Sequence, residues 1–203
     1  MKGRSYWEIG GFLAGGVLIL FGIVAIFMGV NGYSTVRDSI KDENIVFSTA
    51  EDQDPATDKY ASEWYGEQVT TGDQARAFAQ IMRTHQLERT EGLTYAEMGR
   101  FTAAANPDDP KGTSDEEAAL KDEEGNPVPN SARNSWVTAV AITTALNTSY
   151  MAEQLSIFGL VVGVALLLTG IGLVIVAFAV FGKRAEATEA SFAPAPPAKP
   201  VTS

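Results

Sequence analysis

The sequence predicts an all-α membrane protein: two transmembrane helices with a helical extracytoplasmic domain between them, the second helix long and continuous. Three observations predict it. Ile9–Val30 is a 22-residue run without a charge, and Ile157–Gly182 is a 26-residue run whose only polar side chain is Thr169. Each is long enough to cross a hydrocarbon core about 30 Å thick as a helix. The 203 residues are 45% hydrophobic yet have a mean hydropathy of zero, so two apolar spans average against a very polar remainder. That distribution excludes an ordinary cytosolic enzyme.

Taken in order, residues 1–8 are the cytoplasmic N-terminus, 9–30 the first transmembrane helix, 31–156 the outer domain, 157–182 the second transmembrane helix and 183–203 a cytoplasmic tail. Orientation follows from four cations. Lys2 and Arg4 precede the first span, and Lys183 and Arg184 follow the second. Cations beside spans are retained on the cytoplasmic side, so both termini are expected there. Tyr6 and Trp7 on the inner side, with Tyr33 and Tyr150 on the outer side, suit interfacial anchors. The first apolar run is longer than the core of a signal peptide, and no A-x-A-like site follows it, so an uncleaved span is expected.

The outer segment holds 22 Asp/Glu against 10 Lys/Arg, a net of −12 in a chain whose total is −10. There is no cysteine, so disulfides and thiolate metal sites are excluded. Residues 33–58 read as a polar stalk, a helical continuation turning extended at Ile45-Val46-Phe47. Thr70-Thr71-Gly72-Asp73 offers N-cap oxygens. Ala75, Phe78, Ala79 and Met82 then make one apolar stripe at helical spacing. Thr90-Glu91-Gly92 predicts the stop, with glycine in the left-handed conformation. Thr94-Tyr95-Ala96-Glu97 fits a capping box and predicts a second helix through about Ala105, ended by Asn106-Pro107.

Residues 107–130 are acidic and rich in Pro and Gly, with almost no large apolar side chain. They predict a flexible, solvated excursion. From Ser131 no Gly or Pro interrupts the chain until Gly159. A continuous helix over 132–181 would be about 75 Å long, so its first half is expected to stand outside the lipid, with the shorter helices packed on it. After Arg184 the tail, ending Ala193-Pro194-Ala195-Pro196-Pro197-Ala198-Lys199-Pro200, reads as an extended cytoplasmic arm.

Residues Val69–His85, followed by Thr90-Glu91-Gly92-Leu93-Thr94-Tyr95-Ala96-Glu97, resemble a group of two-span membrane proteins of unknown function common in actinobacteria. Its members are often labelled aromatic ring-opening dioxygenases. The resemblance covers both spans and the outer helices but not the acidic stretch or the tail. It implies a bacterial plasma-membrane location and the same hairpin topology, and supplies no activity. The dioxygenase label fails on chemistry: a non-haem iron facial triad takes two histidines and a carboxylate, and the chain has one histidine, His85.

Candidate sites are few. His85, near a helix C-terminus, reads as a capping or packing residue, with a shared metal or pH-switch role as the sharper alternative. Thr94 and Glu97 read as helix-cap and turn residues. Asp115-Glu116-Glu117 and Asp122-Glu123-Glu124 lack the register of a calcium loop and read as a solvated charge run. The sequon Asn147-Thr148-Ser149 falls in a predicted helix close to the membrane.

The spans carry small residues four apart: Gly11 with Gly15, Gly159 with Gly163, and Gly22 beside them. This spacing lets helix backbones approach closely in lipid. It serves either the packing of the two spans on each other or the docking of another protein. No ionisable group lies within either span, so a channel or transporter in its own right is not predicted. Nor is an enzyme, since no nucleophile, base or metal constellation is evident. The acidic outer face repels phosphate backbones, so nucleic acid is not a predicted partner. No cofactor is predicted. The predicted partners are membrane lipid and other integral membrane proteins, with self-association left open. Two functions fit: a non-catalytic accessory or structural subunit of a larger membrane complex, or a stand-alone ligand- or cation-binding sensor or scaffold.

Overall fold

The computed structural model describes residues 3–192, and side chains over residues 9–179. The architecture is all-α: α1 (Gly3–Asp42), α2 (Asp58–Ala61), α3 (Gly72–Arg89), a 3₁₀ turn (Tyr95–Glu97) and α4 (Ser131–Phe192). Antiparallel pairing among the described residues is confined to isolated bridges. Within α1 and α4, residues 9–42 and 131–179 are long and apolar enough to cross a membrane, the most apolar 18 residues of each having mean hydropathies of 2.6 and 2.8. Lys2, Arg4, Tyr6, Trp7, Lys183 and Arg184, which carry the orientation argument, lie outside the residues whose side chains are described. The tail expected to be extended after Arg184 is instead helix as far as Phe192, since no Gly or Pro follows Gly182 until Pro194, and the Ala/Pro-rich 193–200 lie outside the described residues.

The chain divides into two compact units, Met1–Val30 with Ile157–Ser203, and Asn31–Ser156. In the first, α1 and α4 run antiparallel. A Cβ built on Gly15 would lie 2.8 Å from the Gly170 carbonyl oxygen, and one on Gly22 would lie 2.8 Å from that of Gly163 and 2.7 Å from the Leu167 amide nitrogen. The side chains of Ile19 and Ile26 fill the hollows at Gly170 and Gly163, and Val174 fills the one at Gly15. Phe12 and Phe178 meet edge to face at 4.9 Å. Outward positions such as Leu13, Phe21, Phe27, Phe158 and Leu168 are exposed.

The second unit is built on a buried cluster of Ile40, Phe47, Ala61, Val69, Ala75, Ala79, Ile81 and Leu146. The end of α1 contributes Ile40, after which Asn44 takes a positive φ of 52° and the chain doubles back. Phe47 N–H donates to Glu67 O and Val69 N–H to Ile45 O. This short antiparallel pairing centres on Val46 and Gln68 and drives Phe47 and Val69 into the core. Helix α3 begins where its sequence signals place it: Thr71 is the N-cap, its hydroxyl accepting from Gln74 N–H. It ends through Thr90, a left-handed Glu91 (φ 52°) and Gly92 (φ 84°), with Gly92 N–H returning to Leu87 O at 2.7 Å. Contacts of α3 with α4 run Gly72 to Tyr150, Arg76 to Tyr150, Arg83 to Trp136 and Gln86 to Ser135, so the two helices are antiparallel neighbours.

Two sequence expectations are corrected here. The helix expected from Thr94 to Ala105 is a single 3₁₀ turn, and Met98 is already extended. The reason is tertiary. Residues 99–104 give their backbone groups to the acidic stretch: Gly99 N–H to Lys111 O, Phe101 and Thr113 to each other, Thr102 N–H to Val128 O and Leu120 N–H to Thr102 O. Gly99 lies directly against the Thr113 backbone, where no Cβ fits. By the same pairings residues 107–130 are not a free excursion. They fold back as two further plies, pinned by the bridges Phe101–Thr113, Phe101–Pro129, Ala103–Ala119 and Lys121–Pro127. Backbone hydrogen bonding orders a segment that has too little apolar surface to form a core of its own.

Candidate functional site

The glycines singled out from the sequence fall on the α1–α4 seam, but the seam does not follow their four-residue spacing. The buried positions are Gly15, Gly22 and Gly29 on α1, and Gly163, Gly170 and Ala177 on α4. The period is seven. A seven-residue repeat of small residues keeps one narrow face toward the partner along the whole crossing. Gly11 and Gly159 flank the seam in ordinary contact, 3.7 Å from Ala177 Cβ and 3.9 Å from Gly29 Cα, measured from a Cβ built on each. Gly10, Gly16 and Gly172 face open space. Gly170 and Ala177 escaped a search for four-residue spacing; counting small residues at both periods would have found them.

In the second unit Glu153 organises three helical segments. Its side chain is 5% exposed, and Arg37 reaches it from α1 at 2.9 Å. It also accepts from Gly72 N–H, the first amide of α3, where a helix terminus favours an anion. Arg37 in turn lies over the Tyr33 ring at 4.4 Å. At the other end of α4, Asn130 is buried and caps the helix, its Oδ1 accepting from Ala132 and Arg133 N–H. Its Nδ2 donates to Gly99 O and Pro110 O, so one side chain joins the cap to the folded acidic stretch. Beside it an open cleft of about 380 Å³ is lined by Arg89, Asp108, Asp109, Ser131 and Ser135 among others.

His85 does not cap α3. That task falls to buried Thr90, whose hydroxyl donates toward Gln86 O and Leu93 O. His85 Nε2 instead faces Asp54 Oδ2 at 3.2 Å, with both side chains part-exposed. Glu88, one turn on, completes a group whose ligand atoms lie within 4.8 Å of one another. Neither Asp54 nor Glu88 stood out in the sequence, because only the tertiary fold brings the 49–57 loop to α3. Thr94 and Glu97 form the turn expected of them: the Glu97 carboxylate accepts from Thr94 N–H at 2.8 Å and from its hydroxyl at 2.7 Å. Those two bonds, the backbone one first, hold the Glu97 carboxyl below its usual range. Tyr95 is covered by the Arg133 guanidinium at 3.9 Å, docking the turn on α4.

The acidic run is committed to its own turns. Asp122 accepts from Asn126 N–H at 2.7 Å, and Asp115 accepts from Glu117 N–H at 2.9 Å. Asn147 donates to Thr143 O within α4, so its amide is engaged in the helix. Comparison with family models, curated proteins and solved structures finds no match for this chain.

Proposed function

We propose that the chain is a non-catalytic accessory or structural subunit of a larger bacterial membrane complex. In this reading α1 and α4 span the plasma membrane, both termini are cytoplasmic, and residues 31–156 lie outside. The observation that carries it is the outer part of α4. Between Arg133 and Lys183 the only charged residue is Glu153, which is buried. The exposed positions are therefore uncharged: Val137 and Val140, then Thr144, Thr148, Met151 and Leu155, the last two 68% and 69% exposed. A helix facing water in a segment of net −12 would ordinarily carry charge on that face. An uncharged helical face suits burial against another protein. The seven-residue seam supports the same reading, because a hairpin whose spans already lock together can present its remaining faces as one preformed piece.

The alternative is a stand-alone cation-binding sensor or scaffold, favoured by the convergence of Asp54, His85 and Glu88. Gentle detergent extraction, native separation and mass spectrometry decide between them. Stoichiometric co-migration with a large membrane complex is the expected result. Migration alone, or as a small homo-oligomer, overturns the subunit reading.

A further inference from the structure

We propose that Asp54, His85 and Glu88 bind a divalent transition-metal cation of the Zn²⁺ class, tying the 49–57 loop to the last turns of α3. His85 and Glu88 are three apart on α3 and so project from neighbouring positions on one helical face. Asp54 comes from a loop fixed independently of them. Its backbone oxygen accepts from the amide and hydroxyl of Thr57, a fully buried residue, and its Oδ1 accepts from Ala56 N–H at 2.9 Å. That leaves Oδ2 directed at His85 Nε2, 3.2 Å away. Two ligand atoms bound to a tetrahedral ion at Zn–N and Zn–O lengths stand about 3.3 Å apart. The two preplaced atoms already have that separation, and a Glu88 carboxylate oxygen lies within 4.8 Å of both.

Charge and donor type agree. One neutral imidazole with two carboxylates sums to −2 and neutralises a divalent ion. The C-terminal turns of α3 add the negative end of the helix dipole. An imidazole in the set selects against Mg²⁺ and Ca²⁺, which take all-oxygen shells, and toward Zn²⁺ and its neighbours. The set has one histidine and so differs from the two-histidine iron triad. Its part-exposed rim leaves the fourth position to water or to a partner's side chain.

The test uses the purified full chain in detergent micelles with ZnCl₂ as the probe, so it does not depend on finding a complex. Isothermal titration is expected to show one Zn²⁺ per chain. Because His85 is the only histidine in the chain, its imidazole ¹⁵N signals report the site without ambiguity and are expected to shift in step with the titration. Asp54→Asn, His85→Gln and Glu88→Gln should each weaken binding by at least about tenfold, the scale seen for losses around metal sites. The Asp115→Asn, Asp122→Asn double variant should leave it unchanged. All of these side chains are wholly or partly exposed, and circular dichroism checks that each variant folds. No saturable binding, or binding that survives the three site variants and falls with the acidic-run variant, overturns the proposal.

Discussion

Glu153 and Gly72, 81 positions apart, meet where the α3 N-terminus abuts α4, and the carboxylate accepts the first amide of α3. The same carboxylate pairs with Arg37 of α1. A buried anion held by a cation and by a helix terminus leaves a costly orphan when either side is removed. A Cβ on Gly72 would lie 2.6 Å from Glu153 Oε2 and 3.0 Å from Tyr150 Cα, so the absence of a side chain there is what allows the approach.

Arg37→Ala is therefore expected to destabilise the second unit by about 3 kcal/mol, because it leaves the buried Glu153 carboxylate without its cation. Glu153→Ala should cost less, because it removes the buried charge and leaves Arg37, whose side chain is 35% exposed, to water. Urea unfolding of the full chain in detergent, followed by the fluorescence of Trp64 and Trp136, measures both. Equal costs for the two variants would contradict the central place given to Glu153.

The seam between the spans makes a prediction that the cysteine-free sequence allows to be read cleanly. A Cβ at Gly11 would lie 3.7 Å from Ala177 Cβ, within the about 3.5–4.5 Å that a disulfide requires. The Gly11→Cys, Ala177→Cys pair should cross-link on mild oxidation, whereas Gly10→Cys with Ala177→Cys should not, since Gly10 faces open space. Mobility on non-reducing gels after trypsin cleavage between the spans tells the two apart.

At the middle of the crossing, Gly22→Ala and Gly163→Ala would each push a methyl into backbone atoms of the partner helix at 2.7–2.9 Å. Forced overpacking of this kind costs about 1–3 kcal/mol. Gly16→Ala meets nothing and should be neutral. Thermal melts in detergent that fail to separate Gly16 from Gly22 would argue against this seam.

The parts legible in the sequence were those governed by local rules. The apolar length of the spans, the Thr71 cap and apolar stripe of α3, and the Gly92 stop all follow from periodicity and backbone chemistry. The parts missed were decided across distance. Thr94 to Glu97 carries a good helix-start signal, yet backbone partners from 111–128 outcompete continued helix, and nothing local announces them. Glu153 belongs to no sequence motif, and its isolation in an otherwise uncharged stretch is its one local mark. Asp54 sits 31 positions before His85 and becomes its neighbour only through the core packing around Phe47 and Val69.

Asn130 joins the α4 cap to the folded acidic stretch, so its loss should loosen both. Asn130→Ala removes the cap acceptor and leaves the carbonyls of Gly99 and Pro110 without their donor. A cost of about 1–2 kcal/mol is expected from the cap alone. The sharper readout is limited proteolysis: cleavage at Lys111 and Lys121 should be slow in the unaltered chain and several-fold faster in the variant. Rapid cleavage at both lysines in the unaltered chain would mean that the bridges from Phe101, Ala103 and Lys121 do not hold the stretch.

Glu97 gives the turn at 94–97 a pH dependence of definite sign. Its carboxyl is held below the usual range first by the Thr94 amide and then by the Thr94 hydroxyl. A carboxyl whose folded value lies below its unfolded value stabilises the fold above the unfolded value, and the contribution disappears as pH falls through the folded one. A carboxyl-detected NMR titration should place the Glu97 midpoint below that of an unstructured glutamate. Through the same midpoint the Tyr95 ring signals should change as the turn loosens against Arg133. Thr94→Val deletes the hydroxyl and keeps the amide, so the midpoint should rise only part of the way. Because the amide is the larger cause, a full return to the ordinary value in that variant would show that the backbone bond does not form.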